Sequence, residues 1–166
     1  MEPWRGFDLA SLAEARTRLT RACGSTRWVE RMLARRPFGS RAALLTAARD
    51  EWCRLDASDW REAFSTHPTI GDRAPLQARV AATHDLSEKE QAGVSGAAPA
   101  VLDALADGNR AYEEKFGHIF IVCATGKSAE EMLALLRVRL SHDPEIELRI
   151  AAEEQARITA IRLETW

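Results

Sequence analysis

Ile119-Phe120-Ile121-Val122 is the only run in this chain that reads as a β-strand, and the fold class turns on it. One short run with no partner cannot make a stable sheet, so the segment is expected to be a buried connector, extended or helical, inside an all-helical protein. Just beyond it, Ser128-Ala129-Glu130-Glu131 has the spacing of a capping box, and Met132, Leu133, Leu135, Leu136 and Leu140 then cover a broad apolar face. That pattern predicts a long buried helix. Just before it, Pro99 suits a first turn, Val101, Leu102, Leu105, Asn109 and Tyr112 keep helical spacing, and Phe116-Gly117 marks a stop.

Working outward, Leu9, Leu12, Ala15 and Leu19 after Asp8 predict a first helix capped by that aspartate. Ser25 opens a second through Trp28, Val29, Met32 and Leu33, and Arg35-Arg36-Pro37 suits the negative end of a helix that must stop. From Ser40, the residues Ala43, Leu44, Ala47, Ala48 and Trp52 trace one stripe, with Arg49, Asp50 and Arg54 off it. Ser58 or Asp59 is expected to cap a turn carrying Trp60, Ala63 and Phe64. Leu76, Val80 and Ala81 suggest a further segment, and Ser87-Glu88-Lys89-Glu90 is a second capping box, soon followed by Gly93 and Gly96. Asp143-Pro144 opens a last helix in which Ile146, Ile150, Ile158, Ile161 and Leu163 keep a loosely helical rhythm. The expectation is a single-domain, all-α bundle of about seven to nine helices over residues 1–166, since the Gly-Ala stretch 93–98 is too short to separate domains.

With 166 residues, 46% hydrophobic and 29% charged, the chain has the composition of one compact domain. Its formal charge of −2 comes from intermixed signs, without the basic stripe that nucleic acid or an anionic membrane would require. No stretch approaches the roughly 20 apolar residues that span a bilayer. Met1-Glu2-Pro3-Trp4-Arg5 lacks a signal peptide's apolar core and Glu164-Thr165-Trp166 is no targeting tail, so a cytoplasmic location is expected. Cys23, Cys53 and Cys123 are odd in number and widely spaced, and read as reduced core thiols.

Gly126-Lys127-Ser128 resembles the tail of a phosphate-binding loop, but that motif needs glycine where Ile121 stands. None of His67, His84, His118 and His142 belongs to a His-x-x-x-His or Glu-x-x-His pair, so no metal site is expected. His84 and His142 precede aspartates near loops and read as solvated, while His118 follows a helix-ending glycine and reads as a capping or lining residue. His67-Pro68-Thr69-Ile70-Gly71-Asp72 differs, because the proline pushes His67 out of helical geometry at a helix end. A positioned imidazole suits acid/base chemistry near neutral pH, although the motif alone also allows a structural histidine.

Trp60 ahead of His67-Pro68-x-x-Gly71, then Ser87-x-x-Glu90-Gln91, then Asn109-x-x-Tyr112-x-x-Lys115-Phe116-Gly117-x-x-Phe120-Ile121, and finally Arg139-Leu140 and Ile158-x-x-x-Arg162-Leu163 occur in that order. Together they make the chain resemble the 2-oxo-4-hydroxy-4-carboxy-5-ureidoimidazoline (OHCU) decarboxylase family along most of its length. Lys115 stands where arginine is common in that family, and His118 where a large apolar residue is often found.

The resemblance implies a cofactor-free carboxy-lyase of urate degradation that yields (S)-allantoin. It makes His67, in the central acid/base role, and Glu90, which also hydrogen-bonds the substrate, the catalytic pair, and it gives substrate binding to Ser87 and Gln91. It gives an anion or ureido contact to Arg162, and leaves Pro68 and the backbone near Phe120 and Ile121 to shape the pocket. It also implies a homodimer with a small-molecule substrate, for which Trp28, Trp52 and the leucine-rich faces are expected to supply an apolar patch. By position alone Glu90 could simply close its capping box, and Arg162 could form a surface ion pair. Two rival readings are a non-catalytic binding module of the same fold and a metal-dependent hydrolase using His67, Glu90 and His118.

Overall fold

The computed structural model describes residues 2–69 and 96–165. Among the described residues there are eight helices and no strand: α1 Pro3–Leu9, α2 Leu12–Ala22, α3 Thr26–Ala34, α4 Arg41–Cys53, α5 Ala57–Phe64, α6 Pro99–Phe116, α7 Ala129–Arg139 and α8 Pro144–Leu163. The all-α expectation holds. The segments expected around Leu76–Ala81 and from Ser87 lie outside the described residues, as does His84. No described helix is long and apolar enough to cross a membrane.

The caps explain where the helices start. Ser25, Ser40 and Ser128 each accept a hydrogen bond from the backbone amide three residues on, as their spacing predicts. The first expected helix is two helices, because Ser11 and not Asp8 is the cap. Ser11 Oγ accepts from the Glu14 amide at 3.2 Å, while the Glu14 carboxylate accepts from the Ser11 amide at 3.0 Å. The Asp8 carboxylate is occupied elsewhere, accepting from the amides of Phe38 at 2.7 Å and Gly39 at 2.9 Å. Asp56, not Ser58 or Asp59, opens α5, its Oδ1 accepting from both of their amides.

The chain divides into two compact units, Met1–Ala63 with Gln155–Trp166, and Phe64–Glu154. In the first, α2 packs on α3, α3 on α4, and α1 on α2 and α4, around Phe7, Leu19, Trp28, Met32 and Leu44. The Trp28 indole N–H donates to the Ala48 carbonyl at 3.0 Å. Trp28 and Trp52 are both buried and offer no apolar patch; the exposed large apolar residues of this unit are Leu9, Leu12 and Ile161. Glu51 is buried at the expense of three cations, with Arg31, Arg35 and Arg54 on its carboxylate. Cys23 is buried and burial pushes its thiol up to about 12, but Cys53 is exposed, against the expectation for a core thiol.

In the second unit, α6 packs on α7 so closely that a Cβ at Gly108 would lie 2.6 Å from the buried Leu136 side chain. Leu105, Tyr112, Phe116, Phe120, Val122, Met132 and Leu136 form its core. Gly117 ends α6 in the left-handed region (φ 74°), with its amide on the Glu113 carbonyl at 2.9 Å. On α7 the apolar stripe is narrower than predicted: Leu135 and Val138 are exposed, whereas Arg139 is buried.

Helix α8 buries only part of the face its apolar residues suggest: Ile158 and Leu163 are inside, while Ile146 and Ile161 are exposed. Ile146 is 51% exposed, and the buried stripe is Glu147, Ala151, Ala152, Gln155, Ile158, Thr159, Arg162 and Leu163. Small alanines allow close packing on this stripe. Its polar members are accepted inside because they are partnered: the Glu147 carboxylate by ions and hydroxyl, and Gln155 Nε2 by Thr159 Oγ1 at 3.1 Å.

Candidate active site

The 119–124 connector joins α6 to α7 as irregular, largely buried backbone, and among the described residues no strand lies beside it. Backbone amides and carbonyls removed from water need partners, and here side chains supply them. His118 Nδ1 lies 3.0 Å from the Ile119 carbonyl oxygen, which can only accept, so Nδ1 carries the hydrogen. Arg139 Nη1 donates to the Ile121 carbonyl. The Cys123 amide donates to Glu154 Oε2 at 2.8 Å, and Lys127 Nζ donates to the Cys123 carbonyl at 2.7 Å. The apolar side chains of a strand are thus retained without its ladder.

His118 lines the aromatic core. Its ring centroid is 5.1 Å from Phe64, 5.6 Å from Tyr112 and 6.3 Å from Phe116. His118 is therefore accommodated among aromatic rings, with its polar edge on a carbonyl. Lys115 donates from Nζ to the carbonyls of Leu140 at 2.6 Å and His142 at 3.0 Å, tying the end of α6 to the turn between α7 and α8.

Behind the connector lies an ion cluster that the sequence did not announce. The Glu147 carboxylate is fully buried and accepts from Arg139 Nε at 2.6 Å, from the Tyr112 hydroxyl at 2.6 Å and from His142 Nδ1 at 3.0 Å. His142 sits in the turn before α8 and is partly exposed, as expected, but it is also a partner of this cluster. Burial, reinforced by Glu147, pushes the Tyr112 hydroxyl well above the usual tyrosine range, so it stays protonated and donates. A first-turn glutamate reads in sequence as a dipole partner. Only its place on the Glu147, Ala151, Gln155 stripe could have marked it as inward.

His67 sits just after α5, its amide donating to the Phe64 carbonyl at 3.2 Å in a closing turn. His67, Pro68 and Thr69 are each partly buried, and the backbone of His67 is fixed by that turn. His67, Pro68, Phe120 and Ile121 belong to the second unit, and Arg162 to the first. Arg162 is 2% exposed, with Nη1 donating to the Arg21 carbonyl at 3.3 Å; it is a buried residue, not a surface one. Ser87, Glu90 and Gln91 lie outside the described residues. Among the described residues no group of three His, Cys, Asp or Glu side chains is disposed to hold a metal ion.

Residues 9–164 match the model of the family described as OHCU decarboxylase. The uric acid degradation bifunctional protein TTL of Arabidopsis thaliana is 41% identical over 143 residues, covering 85% of this chain and 44% of that protein. A 2-oxo-4-hydroxy-4-carboxy-5-ureidoimidazoline decarboxylase of Amia calva is 32% identical over 103 residues, covering 59% of this chain and 55% of that one. The chain thus spans about half the length of these curated relatives. A crystal structure of OHCU decarboxylase in the presence of (S)-allantoin has a TM-score of 0.76 and 34% identity, covering 89% of this chain and 94% of that chain. With the family's pattern matched over nearly all its residues and its fold shared, the chain belongs to the OHCU decarboxylase family.

Proposed function

We propose that this chain catalyses the cofactor-independent decarboxylation of OHCU to (S)-allantoin in urate degradation. The observation that carries the reading is the likeness to an OHCU decarboxylase crystallised with (S)-allantoin, at 34% identity over 94% of that chain.

The substrate carries a carboxylate and a hydroxyl on a ring carbon next to a carbon-nitrogen double bond. When the bond to the carboxylate breaks, carbon dioxide leaves and the electron pair flows into that imine. The protein has to orient the substrate and manage protons, not supply an electron sink. His67 accepts the hydroxyl proton, being held by its turn and by Pro68 and having the residue type that titrates near neutral pH. Glu90 and Gln91, in the segment opened by Ser87, hold the ring or ureido group. Pro68, Phe120 and Ile121 shape the pocket. A proton delivered to one face of the resulting carbon gives a single enantiomer.

Arg162 contacts a carboxylate or ureido oxygen, for which its planar fork is suited. Replacing Arg162 with Lys keeps the charge and loses the fork, and is expected to raise KM about tenfold or more while changing kcat less. Initial-rate kinetics check this; an unchanged KM removes the assignment.

The same resemblance carries the reading of a cytoplasmic homodimer acting on a small molecule, with residues 1–166 as one functional domain. The test of the activity is ultraviolet absorbance of OHCU made in place from urate. Its decay should accelerate in proportion to added protein, and a decay rate independent of protein would sink the proposal.

A further inference from the structure

Phe120 and Ile121 are the pocket-shaping residues of the functional reading, and one side chain grips both. The Arg139 guanidinium carbon lies 4.6 Å from the Phe120 ring centroid, and Nη1 donates to the Ile121 carbonyl. Its other edge is fixed in turn: Nε donates to Glu147 Oε1 at 2.6 Å, and Nη2 lies 3.5 Å from the Tyr112 hydroxyl. Arg139 is 5% exposed and Glu147 has no exposed surface.

We propose that Arg139 is a positioning residue for the decarboxylation, its guanidinium holding Phe120 and Ile121 in substrate-binding geometry while Glu147 and Tyr112 hold the guanidinium. The inference rests on the functional reading above. Its physical basis is that, among the described residues, no strand neighbours the connector to fix the Ile121 carbonyl. A planar group with donors in several directions can lie on a ring, reach a carbonyl and pair with a carboxylate at once. A lysine ammonium is a point charge that serves one or two of these partners. Stiffness in the shell behind a pocket then appears as binding, since small displacements of lining groups weaken every contact they make.

An arginine that only stabilised the fold would lower the melting temperature on replacement and leave the kinetics of the folded protein alone. Arg139→Lys, confirmed folded by circular dichroism, is expected to raise KM about tenfold with kcat within about threefold. Amide hydrogen exchange should rise in residues 119–124 and stay unchanged in α2 to α4. Tyr112→Phe removes only one hydroxyl, leaves the packing in place, and is expected to raise KM about threefold, which keeps the test decisive if the lysine variant does not fold. A wild-type chain without turnover overturns the functional reading and this role with it. An active wild type with unchanged KM and unchanged exchange at 119–124 in the variants overturns the role of Arg139 alone.

Discussion

Replacing His67 with Asn is expected to lower kcat by a factor of about 100 to 10,000 while leaving the helical circular dichroism and the melting temperature close to wild type, the range typical of a lost acid/base group. The amide of residue 67 makes the turn that closes α5, donating to Phe64 at 3.2 Å, and asparagine keeps that backbone contact. His67 is only partly buried, so the change of side chain leaves no large cavity. Asparagine can hydrogen-bond but cannot take a proton at neutral pH. A variant within tenfold of wild type would place the proton transfer on another group.

Removing the Glu147 side chain should produce a large loss of stability. In Glu147→Ala, Arg139 is left as a buried cation, and the Tyr112 hydroxyl and His142 Nδ1 lose their acceptor. Breaking a buried pair from one side typically costs about 3–5 kcal/mol, because the remaining charge stays desolvated and unpaired. That is a large fraction of the roughly 5–15 kcal/mol that holds a domain together. Removing both charges together, as in Arg139→Met with Glu147→Leu, should cost less than the glutamate change alone. Urea unfolding of the three proteins checks this, and a loss below about 1 kcal/mol for Glu147→Ala would contradict the cluster.

How much of this was legible depends on which signal each residue carried. Ser25, Ser40 and Ser128 announced their helices because a hydroxyl three residues before an open amide is a local pattern. Asp8, Ser58 and Asp59 were misread as caps because an acidic or hydroxyl residue near a helix start has several amides within reach, and sequence does not say which it will take. Ile119-Phe120-Ile121-Val122 was correctly refused as a sheet, but the side chains that satisfy its backbone come from residues up to 18 positions away and could not be listed beforehand. The inner face of α8 was only half legible, through Ile158 and Leu163, because periodicity counts apolar residues and the rest of this face is alanine and partnered polar groups. His67 and Pro68 stood out because proline constrains its predecessor. Arg162 was legible as a motif residue but not as a buried one, and nothing local marked Glu147 as the hub of four side chains.

The central claim is tested most directly by producing OHCU in place from urate with the two preceding activities, adding this protein, and following circular dichroism. The account predicts rapid appearance of optically active, dextrorotatory allantoin at a rate proportional to the protein added. Formation of only the slow racemic background, with the protein folded, would contradict it and mean that the fold serves another task.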